Sequence, residues 1–216
     1  MRSLTIDVVS DVICPWCFIG TRRLDEALAG LPDVEAVVTF HPFLLDPSTP
    51  AEGADLRERL RRKYGGDPEK LFARVEEAAR AAGIPLDFSK IQRTPHTVAA
   101  HTLLRLALEK SGPKTQHALA RALFEAYFLQ GLDIGRFDVL ATLAERHGLD
   151  ADEARAFLAD EKELAATRQQ ASAMAAQGIG GVPFTVVGKR VAISGAQDPA
   201  TFRAAIEQAL QEANDD

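Results

Sequence analysis

The spacing of hydrophobic and polar positions changes along the chain, and each change marks an element. Leu4-Thr5-Ile6-Asp7-Val8-Val9 is rich in β-branched residues and predicts a strand ending at Ser10-Asp11. Ile19, Leu24 and Leu28 then recur at helical spacing, which predicts a helix from about Pro15 to Leu28 that stops near Gly30-Leu31-Pro32. Val34 to Phe40 reads as a second strand, broken by Pro42. Two strands joined by a helix within roughly 40 residues fit a βαβ unit, whose strands run parallel.

From about residue 50 to 176 the pattern is almost wholly helical. Asp67-Pro68 puts a capping residue before a proline at the first helical position, and Leu71, Val75 and Ala78 follow, up to Gly83. Thr94-Pro95 repeats the device for a helix running through Lys110. Leu119, Leu123, Ala126 and Tyr127 line one face of the next helix, and Asp150 with Glu153 resembles a capping box before Ala154 to Leu158. Strand character then returns. Gly178 to Pro183 reads as a loop, and Phe184 to Val187 with Arg190 to Ile193 as a hairpin around Gly188-Lys189. Asp198-Pro199 caps a final helix carrying Phe202, Ile206 and Leu210. The fold class is α/β: βαβ, a helical block, then ββα. Residues 1–46 and 166–216 form one core, and 47–165 form a large all-helical insertion.

Composition narrows the function classes. An apolar share of 46% with 26% charged residues is ordinary for a folded domain and argues against disorder. No apolar run reaches the roughly 18 residues of a membrane-spanning helix. Asp7 interrupts the first apolar stretch, so no signal peptide is recognised, and a cytoplasmic protein is expected. The formal charge of −6 argues against nucleic acid as a partner. The basic run Arg57 to Lys63 is read as a solvated helix face.

The two cysteines, Cys14 and Cys17, change the picture most. Random placement would give that spacing in roughly one case in 110, so thiol chemistry is the first reading. Cys14-Pro15-Trp16-Cys17 lies where the first strand hands over to the first helix. A helix N-terminus favours an anion, so a Cys14 cap with its sulfur facing the N–H groups of Trp16 and Cys17 would be an exposed, activated nucleophile. Cys17, one turn inside, would be the resolving thiol. Half a zinc site is the competing reading, but His41, His96, His101, His117 and His147 show no i,i+3 or i,i+4 ligand spacing. No metal is expected. A pair of inert buried cysteines is the other alternative.

Ser10 to Gly20, with Cys14-Pro15-Trp16-Cys17 inside it, resembles the signature of DsbA-like thioredoxin-fold oxidoreductases, specifically the FrnE-like subgroup. The resemblance continues in His41 to Pro47, in Gly181-Val182-Pro183-Phe184 and in Ser194-Gly195-Ala196-Gln197, so it covers nearly the whole chain. It implies a thioredoxin-like core and a cis Val182-Pro183 peptide beside the cysteines, presenting the Val182 backbone to substrate. An ordinary loop proline is the plain alternative for Pro183. The related kappa-class glutathione transferases and 2-hydroxychromene-2-carboxylate isomerases carry a serine where Cys14 stands. This chain keeps both thiols, which favours redox exchange. By analogy Gly195, Ala196, Gln197 and Asp198 could meet a glutathione carboxylate, although Asp198 also reads simply as a helix cap.

Trp16 either flanks the sulfur as a substrate contact or packs in the core. Asp7 and Asp11 are candidates to move a proton at Cys17, or else are solvated strand-end carboxylates. His41 reads as structural or exposed, and His96 and His101 as helix-surface residues. The resemblance implies a protein disulfide oxidoreductase working through Cys14 and Cys17, with the direction of electron flow left open. The alternative is a glutathione-dependent isomerase or transferase of the kappa-class type. The first needs no cofactor, with glutathione as a candidate co-substrate. Expected partners are protein thiols and disulfides or small thiols.

Overall fold

The computed structural model describes residues 2–213. Residue 1 and residues 214–216, the outermost ends of the expected core, lie outside the described residues. The βαβ unit forms as read: β1 (Arg2–Ser10), α1 (Pro15–Ala29) and β2 (Val34–Pro42). β2 runs parallel to β1 in one register, Arg2 opposite Val34 through Ser10 opposite Pro42. Near the C-terminus, β5 (Phe184–Val187) pairs antiparallel with β1, and β6 (Val191–Ser194) with β5. The sheet order is β2-β1-β5-β6, so β1 is central and Ile6 is fully buried on it. The β5–β6 hairpin turns through Gly188, Lys189 and Arg190; Gly188 and Lys189 are at positive φ, and the Arg190 N–H closes the turn onto the Val187 carbonyl at 3.0 Å.

Between β2 and β5 lie a two-stranded ribbon, β3 (Ala54–Asp55) with β4 (Arg93–Thr94), and six helices. These are α2 (Leu56–Tyr64), α3 (Pro68–Ala81), α4 (Val98–Phe128), α5 (Phe137–Arg146), α6 (Ala151–Ala159) and α7 (Glu161–Ala176); α8 (Pro199–Glu212) closes the chain. The expected join at 165/166 falls inside α7. Asp67, Asp150 and Asp198 cap α3, α6 and α8 with their side chains, as predicted. Thr94 does not cap α4. It is taken by the ribbon, opposite Ala54, and the cap residue of α4 is Thr97, three residues later. α4 also continues past Lys110, interrupted at Gly112, where Pro113 cannot extend the regular hydrogen-bond ladder.

The helical block is not a separate bead. Phe18, one residue beyond Cys17, stacks on Phe124 and Phe128 of α4 at centroid distances of 5.4 and 5.7 Å. Phe88 stacks on Phe72 at 4.2 Å and meets Phe128 edge-on. One hydrophobic cluster therefore runs from the sheet through α1 into the insertion. Gln116 of α4 completes the edge of the sheet. Its buried amide accepts from the Phe40 N–H at 2.9 Å and donates to the Phe40 carbonyl at 3.0 Å, the two bonds a further strand would make.

Candidate redox site

The turn that joins β1 to α1 sets the site. The Cys14 N–H donates to the Asp11 carbonyl at 3.0 Å, and the Cys14 carbonyl accepts from the N–H groups of Cys17 and Phe18 at 3.0 and 3.2 Å. Cys14 is thus the cap residue of α1, in extended conformation, with Pro15 at the first helical position where no N–H is needed. Gly20, two residues past Phe18, lets α1 press on the opposite loop. A Cβ there would stand 3.1 Å from Cγ of Pro183 and 3.5 Å from Ala196.

That loop carries the Val182–Pro183 peptide, which is cis. The Cys14 thiol donates to the Val182 carbonyl, with sulfur and oxygen 3.8 Å apart. It makes no side-chain bond to the helix amides, contrary to the sequence expectation. The Val182 carbonyl, on the cis-proline loop, is the acceptor that stands within reach of the sulfur.

The expected exposure of Cys14 is also corrected. Cys14 is 3% and Cys17 0% exposed, and both are free thiols. Cys14 instead borders a cavity of about 480 Å³ that is lined also by Trp16, Val182 and side chains of α2, α3 and α4. Cys17 does not line it. The two sulfurs therefore differ in access through the cavity. Burial pushes the Cys17 thiol well above its ordinary value, and the hydrogen bond and charge of Cys14 raise it further. The Asp11 carboxylate adds a smaller push the same way, against a backbone hydrogen bond at Asp11.

Asp11 is not a solvated strand end. It is 0% exposed, accepts the Leu45 N–H at 2.7 Å and lies 3.3 Å from Nε2 of His101. His101 is likewise not on a helix surface, being 3% exposed. Its spacing showed this: it stands three residues from both Val98 and Leu104, on the apolar face of α4. His96 precedes α4 and is half-buried. Burial holds its imidazole below the ordinary value, and Arg168 adds to this against the opposing charge of Asp11. Asp7 pairs with His41 at 2.7 Å on the sheet, with both side chains about one-third exposed.

The basic run of α2 is only partly solvated. Arg59, 9% exposed, holds both oxygens of Asp46, at 2.6 and 2.7 Å, and reaches Ser48 Oγ. Burial works against ionisation of Asp46, but Arg59 and Ser48 outweigh it and hold the carboxyl below its usual value. Arg57 hydrogen-bonds the carbonyls of Phe88 and Ile91. Sequence reasoning missed Asp46, Arg59 and Lys63, all of which line the cavity. The signal was Leu56 and Leu60, four residues apart and flanking Arg59, which give α2 an inward face.

Gly195, Ala196, Gln197 and Asp198 lie at the entry to α8 and do not line the cavity. The Ala196 carbonyl accepts from Arg23 at 2.7 Å, and the Asp198 carboxylate accepts the Thr201 N–H. Among the described residues, no three His, Cys, Asp or Glu side chains cluster as metal ligands would, and no helix is long and apolar enough to cross a membrane.

The cysteine turn, the cis-proline loop beside it and the β2-β1-β5-β6 sheet coincide with a family model for the DSBA-like thioredoxin domain, matched over residues 5–207. The chain belongs to that family. DsbA-like members are thiol–disulfide oxidoreductases, and the helical block is an insertion in the thioredoxin-like fold. YwbO of Bacillus subtilis, an uncharacterised protein, is 31% identical over 205 residues, covering 93% of this chain and 94% of that one. A probable DsbA oxidoreductase of Streptomyces coelicolor superposes with a TM-score of 0.82 at 32% identity, covering 97% of this chain and 91% of that one. The cytosolic disulfide reductase DsbM of Pseudomonas aeruginosa, solved with glutathione, shares the fold at a TM-score of 0.68 and 18% identity, with 96% and 99% covered.

Proposed function

We propose that this protein exchanges dithiols and disulfides through Cys14 and Cys17, with Cys14 as nucleophile and Cys17 as resolving thiol. The observation that carries the reading is their unequal placement: Cys14 caps α1 and borders the cavity, while Cys17 is fully enclosed one turn deeper. The Cys14 thiolate attacks a substrate disulfide and forms a mixed disulfide, releasing one substrate thiolate. Cys17 then loses its proton and attacks Cys14, releasing the second substrate thiolate and leaving a Cys14–Cys17 disulfide. Two electrons pass to the substrate; run backwards, the cycle oxidises a dithiol.

Trp16, Val182 and Pro183 hold the substrate in this reading, with the Val182 carbonyl facing the reacting sulfur. Glutathione as a small-thiol partner, and a cytoplasmic setting, are supported by the likeness to glutathione-bound, cytosolic DsbM. Gly195 to Asp198 remain the proposed place for its carboxylate. Residues 1–46 and 166–216 are proposed as the redox unit and 47–165 as the unit that shapes access to it.

The test uses two variants. Cys14→Ser abolishes catalysis of insulin reduction by dithiothreitol, returning it to the uncatalysed rate, and Cys17→Ser accumulates mixed disulfides detectable by mass spectrometry. Conjugation or isomerisation with glutathione that survives Cys17→Ser, in a protein inert towards insulin, would instead favour the kappa-class alternative, which needs no second thiol.

A further inference from the structure

The cavity beside Cys14 has an apolar floor and a basic rim. Leu56, Phe72, Val75, Phe88 and Phe128 line it and are all buried. Its charged lining is Arg59, Lys63 and Arg74 against one carboxylate, Asp46. Arg59 is committed to Asp46. Lys63 bonds the neutral carbonyl of Leu45, and Arg74 makes no ion pair among the described residues. The mouth thus keeps an excess of positive charge in a chain whose formal charge is −6. Tyr64 and Leu71, two of the large apolar residues left exposed, stand at the same mouth.

A volume of about 480 Å³ lies within the roughly 300–1,000 Å³ of small-molecule sites. An extended polypeptide needs an edge to lie along, whereas this space runs from Cys14 inward to Phe72 and Phe128. Resting on the exchange reading above, we propose that the disulfide exchanged here belongs to a low-molecular-weight compound bearing an apolar group and an anionic group. The apolar group lies against Phe72 and Phe128, and the anion meets Lys63 and Arg74. Cys14 bonds to the substrate sulfur nearer the apolar group, and the other sulfur leaves as a thiolate and is protonated by water. Cys17 then displaces the first sulfur, so the compound gains two electrons and the protein becomes the disulfide. An external dithiol restores the reduced protein.

The experiment compares three disulfide probes on the reduced protein, each rate divided by that with free glutathione. They are dithiobis(nitrobenzoate), aromatic and anionic; dithiodipyridine, aromatic and neutral; and cystamine, small and cationic. The anionic aromatic probe should be favoured at least tenfold over cystamine after this correction. Lys63→Gln with Arg74→Gln, both exposed positions, should slow that probe roughly tenfold and dithiodipyridine less than about twofold, as loss of a charge-assisted contact predicts. Leu60→Trp, which fills the cavity, should slow both aromatic probes and spare cystamine. Binding of anilinonaphthalene sulfonate to the Cys14→Ser variant, followed by fluorescence, gives a readout free of exchange and should weaken in the same double variant.

Equal corrected rates for the three probes, or a double variant that matches the parent in rate and in sulfonate binding, would overturn the proposal while leaving exchange intact. So would insulin reduction faster than that of every small probe. No exchange with any disulfide, insulin included, would instead overturn the function on which the proposal rests.

Discussion

Burial of Cys17 carries a consequence for stability that can be measured directly. The Cys17 thiol is fully enclosed, and burial, followed by the hydrogen bond and charge of Cys14, raises its pKa well above the ordinary thiol value. A group with a raised pKa in the folded state binds its proton more tightly there than in the unfolded chain. The stability it contributes is therefore whole below the unfolded value of about 8.5 and is lost as pH rises towards the folded value. Between pH 9 and 10 the unfolded thiol is largely ionised and the folded one is not, so the reduced protein should lose about 1.2 kcal/mol over that unit from this group. Tyr127, whose hydroxyl is also raised by burial, has an ordinary value near 10, so its own loss begins within this window but is common to both proteins compared below. The assay is urea unfolding of reduced protein at closely spaced pH values, beside the Cys17→Ala variant, which removes the titrating group. The difference between the two should shrink with pH. A parallel pair of curves from pH 8 to 10 would refute the reasoning, because it would mean that Cys17 meets solvent in the folded protein.

Substitutions at two further positions probe the joins between sheet and insertion. Gln116→Leu strands the buried N–H and carbonyl of Phe40 and should cost about 1–3 kcal/mol for each orphaned group, read as a fall in the urea midpoint; an unchanged midpoint would show that the edge finds other partners. Asp11→Leu removes the acceptor for Leu45 and the partner of His101 and should destabilise by a similar amount per group, whereas Asp11→Asn keeps an oxygen for the Leu45 N–H and should cost clearly less. The reverse order in thermal unfolding would contradict the role given to that acceptor.

Local rules sufficed where a residue's partner lies within a few positions. The strand at Leu4 to Val9, the helix that starts at Pro15 and the caps at Asp67, Asp150 and Asp198 all depend on neighbours in sequence. The turn at Gly188-Lys189 does too. The misplacements have the opposite origin. Thr94 looks like a cap beside Pro95, but a strand partner 40 residues earlier, Ala54, claims it. Arg59 looks solvated until Asp46 turns back from the end of β2 to meet it. Asp11 and His101 look like unrelated polar residues, and only the packing of α4 against the β1–α1 turn brings them to 3.3 Å. The direction of the Cys14 thiol fails for a different reason: the helix terminus was given the sulfur as an anion, while the thiol has the Val182 carbonyl within reach.

The Asp11 contacts join the insertion to the cysteine turn. Asp11 is three residues before Cys14 and gives Cys14 its turn hydrogen bond through its carbonyl. Its side chain meanwhile holds Leu45, at the exit from β2, and His101, on α4. A buried carboxylate without such donors would be costly, so these contacts are what allow it to stand beside Cys17. Its charge there opposes ionisation of Cys17. The β2 exit and α4 also wall the cavity, through Leu45 and Phe128. Asp11 thus ties the cysteine turn, the exit from β2 and α4 together while its charge stands beside the resolving thiol.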